Sequence, residues 1–201
     1  MLVPSNVPPH RPQPITSAYH RFAMVAFAVQ ERPGWRAADL ELRSDAPSFT
    51  SRTLDGFHHR GYRPAELFFV IGADAFFEIE SWRDYPTILD AAHFVVISRP
   101  GIPVRAVAAR LPHLGARMVT RPADALTSNV PLIILIDAPT ADVSSTAIRR
   151  ARADGQSIAG MVDPLVQQHI EQNGLYTPMT PGRRNGEGRP AASAGRLHGQ
   201  D

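Results

Sequence analysis

Three uninterrupted apolar runs, residues 67–71 (LFFVI), 94–97 (FVVI) and 132–136 (LIILI), constrain the fold of this chain more than any other feature. Each is shorter than an ordinary helix and bounded by loop-forming residues, so each reads as a strand buried on both faces. An amphipathic segment over residues 82–92 separates the first two runs and reads as a helix. Apolar strands separated by helices predict a parallel sheet covered on both sides, that is, a doubly wound α/β domain.

The flanking segments extend this pattern. Phe22, Val25, Ala26 and Val29 recur at helical spacing, predicting a helix over residues 17–30 that the pair Pro33 and Gly34 terminates. Leu40 and Leu42 alternate with charged neighbours as a half-exposed strand would, and Thr53, Leu54 and Phe57 suggest a short helix after Ser51. Further on, Asp163 is placed to cap a helix. Pro164 suits its first turn, Leu165, Val166 and Ile170 form its apolar face, and Gly174 stops it. One domain over residues 1–176 is expected. The tail, residues 177–201, has hardly any large apolar side chain to offset its ordering entropy and is expected to be disordered.

Composition narrows the function. All 21 basic side chains are arginine, scattered along a chain of net charge +2, which argues against a nucleic-acid partner. With no cysteine there is neither a disulfide framework nor a thiolate metal site, and the histidines form no HExxH pattern, so no protein-built metal site is expected. No stretch approaches the roughly 20 apolar residues of a membrane span, and prolines interrupt the start where a signal peptide would be apolar. A cytoplasmic protein is expected; the sequence leaves homo-oligomerisation open. GxSxG, Walker A and GxGxxG motifs are missing, so a phosphate site here must be of another type.

Ligands of doubly wound sheets bind beyond the carboxyl ends of the strands, and three polar clusters fall there: residues 72–74, 98–101 and 142–149. In the segment DVSSTAIRR, residues 142–150, Ser144, Ser145 and Thr146 offer hydroxyls at a helix start and Arg149 follows one turn later. That suits a phosphate, while capping alone would also explain the serines. Gly72 lets a ligand approach the backbone, and Asp74 can accept from a ribose hydroxyl or simply cap the next helix. Trp82 can offer a flat face to an aromatic ring or merely pack. His10 and Arg11, stiffened by Pro8 and Pro9, offer a second anion grip.

Taken in order, VPSNVPPHRP, APSFT, FFVIGADAFFEIESWRDYPTIL with AHFVVISRPG, DVSSTAIRR and VQQHIEQNGLY resemble the bacterial nicotinate-nucleotide adenylyltransferases over residues 2–176. The resemblance implies a Rossmann-like fold of the nucleotidyltransferase superfamily. It also implies transfer of the AMP part of ATP to nicotinate mononucleotide, giving deamido-NAD and pyrophosphate in NAD biosynthesis, with Mg2+ accompanying ATP. By the same resemblance, Asn6, His10, Arg11, Thr50, Trp82 and Arg83 hold the mononucleotide. Trp82 stacks on the pyridine ring, backbone near Thr50 and Arg83 holds the carboxylate, and His10 and Arg11 lie near the phosphate. Gly72, Asp74, Ser144, Ser145, Thr146 and Arg149 serve ATP, with Arg149 stabilising phosphate charge during transfer.

The family opens with a strand and a GxFDPxHxGH loop whose histidines contact the ATP phosphates, and the 201 residues contain no such motif. Met1 matches the end of the family's second strand, so the first βα unit, roughly 30 residues, is expected to be missing. A start codon assigned too far downstream is the expected cause, and the loss of a central strand is expected to expose apolar edges. The alternative is a catalytically inactive nucleotide-binding or interaction protein on the remnant fold.

Overall fold

The computed structural model describes residues 1–9 and 16–178; His10, Arg11 and the tail from residue 179 lie outside the described residues. In chain order the elements are α1 (Ala18–Val29), α2 (Thr50–His58), β1 (Phe68–Gly72), α3 (Ala73–Phe76), β2 (His93–Ile97), α4 (Arg105–Arg110), β3 (Met118–Val119), α5 (Pro122–Leu126), β4 (Ile133–Ile136), α6 (Ser145–Ala153) and α7 (Pro164–Gln172), with short 3-10 turns between some of them. The three apolar runs are β1, β2 and β4. They form one parallel sheet in the order β1-β2-β4-β3, a Rossmann-like arrangement flanked by helices. Only the two-residue β3 was not foreseen, because its pairing of Met118 with Ile133 and Val119 with Ile134 needs no apolar run.

Side chains alternate across a strand, so Phe69, Ile71, Phe94, Val96, Ile133 and Leu135 share one face of the sheet. They join Phe76, Ile79, Leu89 and Val107 in the main core. Phe76, Ile79, Phe94, Val96 and Val107 are fully buried, and each contributes about 1.5–3 kcal/mol of hydrophobic stabilisation. A second core forms among α1, α6 and α7, where Phe27, Ile148, Val166 and Ile170 meet.

On the sheet's other face β1 departs from the expected burial: Phe68 is 41% and Val70 60% exposed. The reason is its place at the end of the strand order. The helices of the second core pack on one another, and the two side chains on β1 remain outside that cluster.

Two further expectations need correction. Over residues 82–92 the chain makes turns and the 3-10 helix Thr87–Asp90 instead of an α-helix. Asp84 takes a left-handed φ of 65°, and Pro86 has no N–H to donate, so an α-helical ladder cannot run through. Ile88 and Leu89 still enter the core, which explains the amphipathic pattern. Leu40 and Leu42 do not form a strand either. The Leu42 N–H donates to the Asp39 carbonyl at 3.0 Å, and Arg43 grips the Asp39 carboxylate through two hydrogen bonds of 3.0 and 2.9 Å, closing a turn. Strand-like pairing in this region is confined to isolated parallel bridges, Leu2 with Ala37 and Val7 with Pro47. No helix among the described residues is long and apolar enough to cross a membrane.

His93 shows how the core tolerates a polar ring. It is fully buried and stacks on Phe68 with ring centroids 4.7 Å apart. Its Nδ1 accepts from the Leu132 N–H at 3.0 Å, which joins β2 to the entry of β4. Burial pushes its pKa below the usual 6.5, with the Ala65 carbonyl opposing. The unfolded chain therefore takes up a proton below pH 6.5 that the folded chain resists, and stability falls as pH drops through that value. In urea melts, the advantage of the native protein over His93→Asn should shrink between roughly pH 7 and pH 5. A gap independent of pH would show that His93 does not titrate with folding.

Candidate active site

The parallel register aligns Gly72 with Ile97 and Ile97 with Ile136, so the carboxyl ends of β1, β2 and β4 open on one edge of the sheet. Ser98, the residue after β2, ties this edge together. Its hydroxyl donates to the Ala138 carbonyl at 2.9 Å and accepts from the Ala138 N–H at 3.0 Å, which fixes where the chain leaves β4 toward α6.

A cavity of about 440 Å³ lies beside the end of β1, lined by Pro8, Pro9, Ser48, Phe49, Thr50, Ala75, Glu78, Ser81, Trp82, Arg83 and Ile88. It brings Thr50 together with Trp82 and Arg83, which lie more than 30 positions further along the chain; all three were singled out from the sequence. Trp82 is held edge-on by Phe69, with centroids 6.1 Å apart and planes at 81°. The Arg83 guanidinium lies over the Phe49 ring, 4.7 Å from its centroid, and 3.6 Å from the Asp84 carboxylate. The cavity thus offers an aromatic wall, a cation and the backbone at the start of α2.

The wall opposite Trp82 is built by hydrogen bonds that the sequence did not reveal. Ser48 Oγ accepts from the backbone N–H of Asn6 at 2.9 Å and of Val7 at 3.3 Å, while the Ser48 N–H donates to the Val7 carbonyl at 2.8 Å. Asn6 Nδ2 donates to the Ser44 carbonyl at 2.9 Å. Asn6 is therefore not a lining residue; it ties the loop that carries Ser48, Phe49 and Thr50 to the N-terminal segment. Arg21, from α1, donates to the carbonyls of Ser5 and Asn6 and braces the same segment. Pro8 and Pro9 line the cavity directly before His10 and Arg11, which are outside the described residues. Phe49 and Glu78 were not singled out from the sequence. Their only signal there was adjacency to Thr50 and proximity to Trp82.

Gly72 and Asp74 sit where β1 turns into α3. The Asp74 carboxylate folds over Gly72 into the space a Cβ would fill, with the Arg99 side chain alongside. Arg99 Nε lies 3.9 Å from Asp74 Oδ1, so the clusters at the ends of β1 and β2 meet. Both side chains are about half exposed, and the pair adds little stability. At the start of α6, Ser144 is the N-cap: its Oγ accepts from the Ala147 N–H at 3.1 Å. Arg149 Nη2 donates to Thr146 Oγ1 at 3.3 Å, and Ser144, Ser145, Thr146 and Arg149 are all exposed. Ile148 and Ala151 anchor the other side of α6 in the second core. The helix therefore presents hydroxyls and a guanidinium to solvent, and none of them lines the cavity beside Trp82.

This geometry can be compared with known proteins. The cytidylyltransferase-like family model matches residues 1–151. The nicotinate-nucleotide adenylyltransferase of Salmonella typhi is 34% identical over 177 residues, covering 88% of this chain and 83% of that protein. A probable nicotinate-nucleotide adenylyltransferase of Klebsiella pneumoniae is also 34% identical over 177 residues, covering 88% and 82%. Among solved structures, the Plasmodium falciparum nicotinic acid mononucleotide adenylyltransferase complexed with NaAD superposes with a TM-score of 0.57 at 19% identity, over 87% of this chain and 80% of that one. The same enzyme complexed with APC gives 0.53 at 20% identity, over 80% and 76%. At such identity the structural likeness speaks for the fold.

A parallel sheet with its polar clusters at the strand carboxyl ends and a cytidylyltransferase-like sequence defines a nucleotidyltransferase fold. Within that class, the chain belongs to the bacterial nicotinate-nucleotide adenylyltransferase family.

The cap at Ser144 can be tested without any ligand. Ser144→Ala removes the acceptor for the Ala147 N–H and should cost about 0.5–2 kcal/mol of stability by urea unfolding. An unchanged midpoint would mean that the hydroxyl is not spent on capping.

Proposed function

We propose that the chain transfers the adenylyl group of ATP to nicotinate mononucleotide, giving deamido-NAD and pyrophosphate. The observation that carries this reading is the convergence of Thr50, Trp82 and Arg83 on one cavity at the end of β1, in a chain 34% identical to nicotinate-nucleotide adenylyltransferases. Trp82 stacks on the pyridine ring. Arg83 and the backbone at Thr50 receive the carboxylate, a negative group suited to the guanidinium held over Phe49. Gly72 and Asp74 serve the adenosine side. Ser144, Ser145, Thr146 and Arg149 receive the ATP phosphates at the start of α6. His10 and Arg11 serve the mononucleotide phosphate, following directly on Pro9 in the cavity wall.

A phosphate oxygen of the mononucleotide attacks the α-phosphorus of ATP. A new phosphoanhydride bond forms there, the bond to the β-phosphate oxygen breaks, and pyrophosphate leaves with the electron pair. No nucleophile is required from the protein. Its work is to hold two anions in line against their repulsion and to offset the charge, which falls to Arg149 and the amides and hydroxyls of α6. Among the described residues no group of three or more His, Asp or Glu side chains is placed to hold a metal ion. An Mg2+ brought in with ATP would neutralise phosphate charge during the transfer.

The test is direct. Purified protein given ATP, nicotinate mononucleotide and Mg2+ should form deamido-NAD and pyrophosphate in equal amounts, and absence of both products would overturn the reading. Trp82→Ala should raise the KM for the mononucleotide by about tenfold or more with little change for ATP. Arg149→Ala should do the reverse, by roughly 10- to 100-fold for the loss of a charge-assisted contact. Equal losses for both substrates in both variants would refute the division of roles.

A further inference from the structure

A second cavity of about 220 Å³ lies beside the first, and none of the roles above uses it. Ser48 and Phe49 line both cavities. The second is formed between α2 and the turn closed by Asp39 and Arg43, and its polar lining includes Glu41, Arg43, Ser44, Arg52 and Arg60, with Gly56 among them.

Arg52, Gly56 and Arg60 are spaced four residues apart, so they follow one stripe of α2 and its C-terminal extension. Gly56 is not demanded by the backbone: its φ is not positive, and a Cβ built there meets nothing within 4 Å. A glycine inside a helix is destabilising relative to alanine, so the residue has a cost without a local reason. Its effect is to leave a notch between two guanidiniums.

The charges of the cavity are unequally spent. Arg43 is bound to Asp39, and the Glu41 carboxylate accepts from Thr53 Oγ1 at 2.6 Å. Among the described residues no carboxylate is ion-paired with Arg52 or Arg60, and Arg60 lies 5.9 Å from the Phe57 ring centroid. With Arg43 neutralised by Asp39, Arg52 and Arg60 against Glu41 still leave the lining positive. The volume is below the roughly 300 Å³ at which pockets for drug-sized ligands begin, which favours a small anion over a nucleoside.

We propose that the notch at Gly56, flanked by Arg52 and Arg60 and faced by Arg43 and Ser44, binds a free phosphate-type oxyanion independently of the ligand in the neighbouring cavity. Guanidiniums suit tetrahedral oxyanions because each presents paired N–H donors in a fixed fork. The shared Ser48 and Phe49 wall places such an anion next to the loop that presents Thr50.

The test is a titration of ¹⁵N-labelled protein with inorganic phosphate at constant ionic strength, maintained with potassium chloride. The backbone amides of Ser44, Arg52, Gly56 and Arg60 should shift saturably, and the same shifts should persist with nicotinate mononucleotide present in excess. Gly56→Leu, which fills the notch without altering charge, and the double variant Arg52→Gln, Arg60→Gln should each weaken the response at least tenfold. Shifts around Ser144 to Arg149 should be unaffected by either change. Three results would overturn the proposal: no saturable shift at Gly56, shifts that mononucleotide abolishes because its own phosphate occupies the notch, or wild-type affinity in both variants.

Discussion

The parallel hydrogen-bond ladder of β1, β2 and β4 is the constraint on which the rest depends. In a parallel sheet every strand runs the same way, so the chain leaves each strand on the same edge. Gly72, Ser98 and the exit from β4 are therefore neighbours although long stretches of sequence separate them. The apolar side chains of Phe94, Val96, Ile133 and Leu135 hold this ladder against the connecting segments. The polar residues that follow each strand cannot enter that core, and they collect at the edge where a ligand can reach them.

The cavity beside Trp82 depends on a different kind of assembly. Its two walls come from the segment after β1 and from the loop before α2, and the second has no regular secondary structure to hold it. Ser48 replaces that support by accepting two backbone N–H groups from the N-terminal segment, while Asn6 and Arg21 grip the same strands of chain from either side. The aromatic Phe49 then carries the Arg83 guanidinium. A few side-chain hydrogen bonds thus do for the loop what ladder pairing does for the sheet. Their loss would be felt first in the position of Thr50.

Much of this was legible in the sequence. The three apolar runs are strands in parallel order, Ser144 caps α6, Asp163 caps α7, and Trp82 with Arg83 and Thr50 shares a cavity. The misreadings have identifiable causes. Leu40 and Leu42 alternate as a strand does, but the charge pair of Asp39 and Arg43 closes a turn there. Residues 82–92 carry a helical apolar pattern because Ile88 and Leu89 are buried, whereas Asp84 and Pro86 forbid the helix. Phe68 and Val70 read as core because they are apolar, yet burial depends on what stands next to a strand, which a run of residues does not reveal.

What the sequence determined by itself was local and periodic: which runs pair as strands, which residues cap or stop helices, and which motifs mark the nicotinate-nucleotide adenylyltransferase family. These follow from chemistry within a few residues of each position. Only the tertiary structure decided that Ser48 and Asn6 are supports, that Phe49 and Arg83 are partners, that Asp74 meets Arg99, and that Gly56 opens a notch between arginines. Such relations join residues far apart in the chain, and they exist only once burial and hydrogen bonding have fixed where each segment lies.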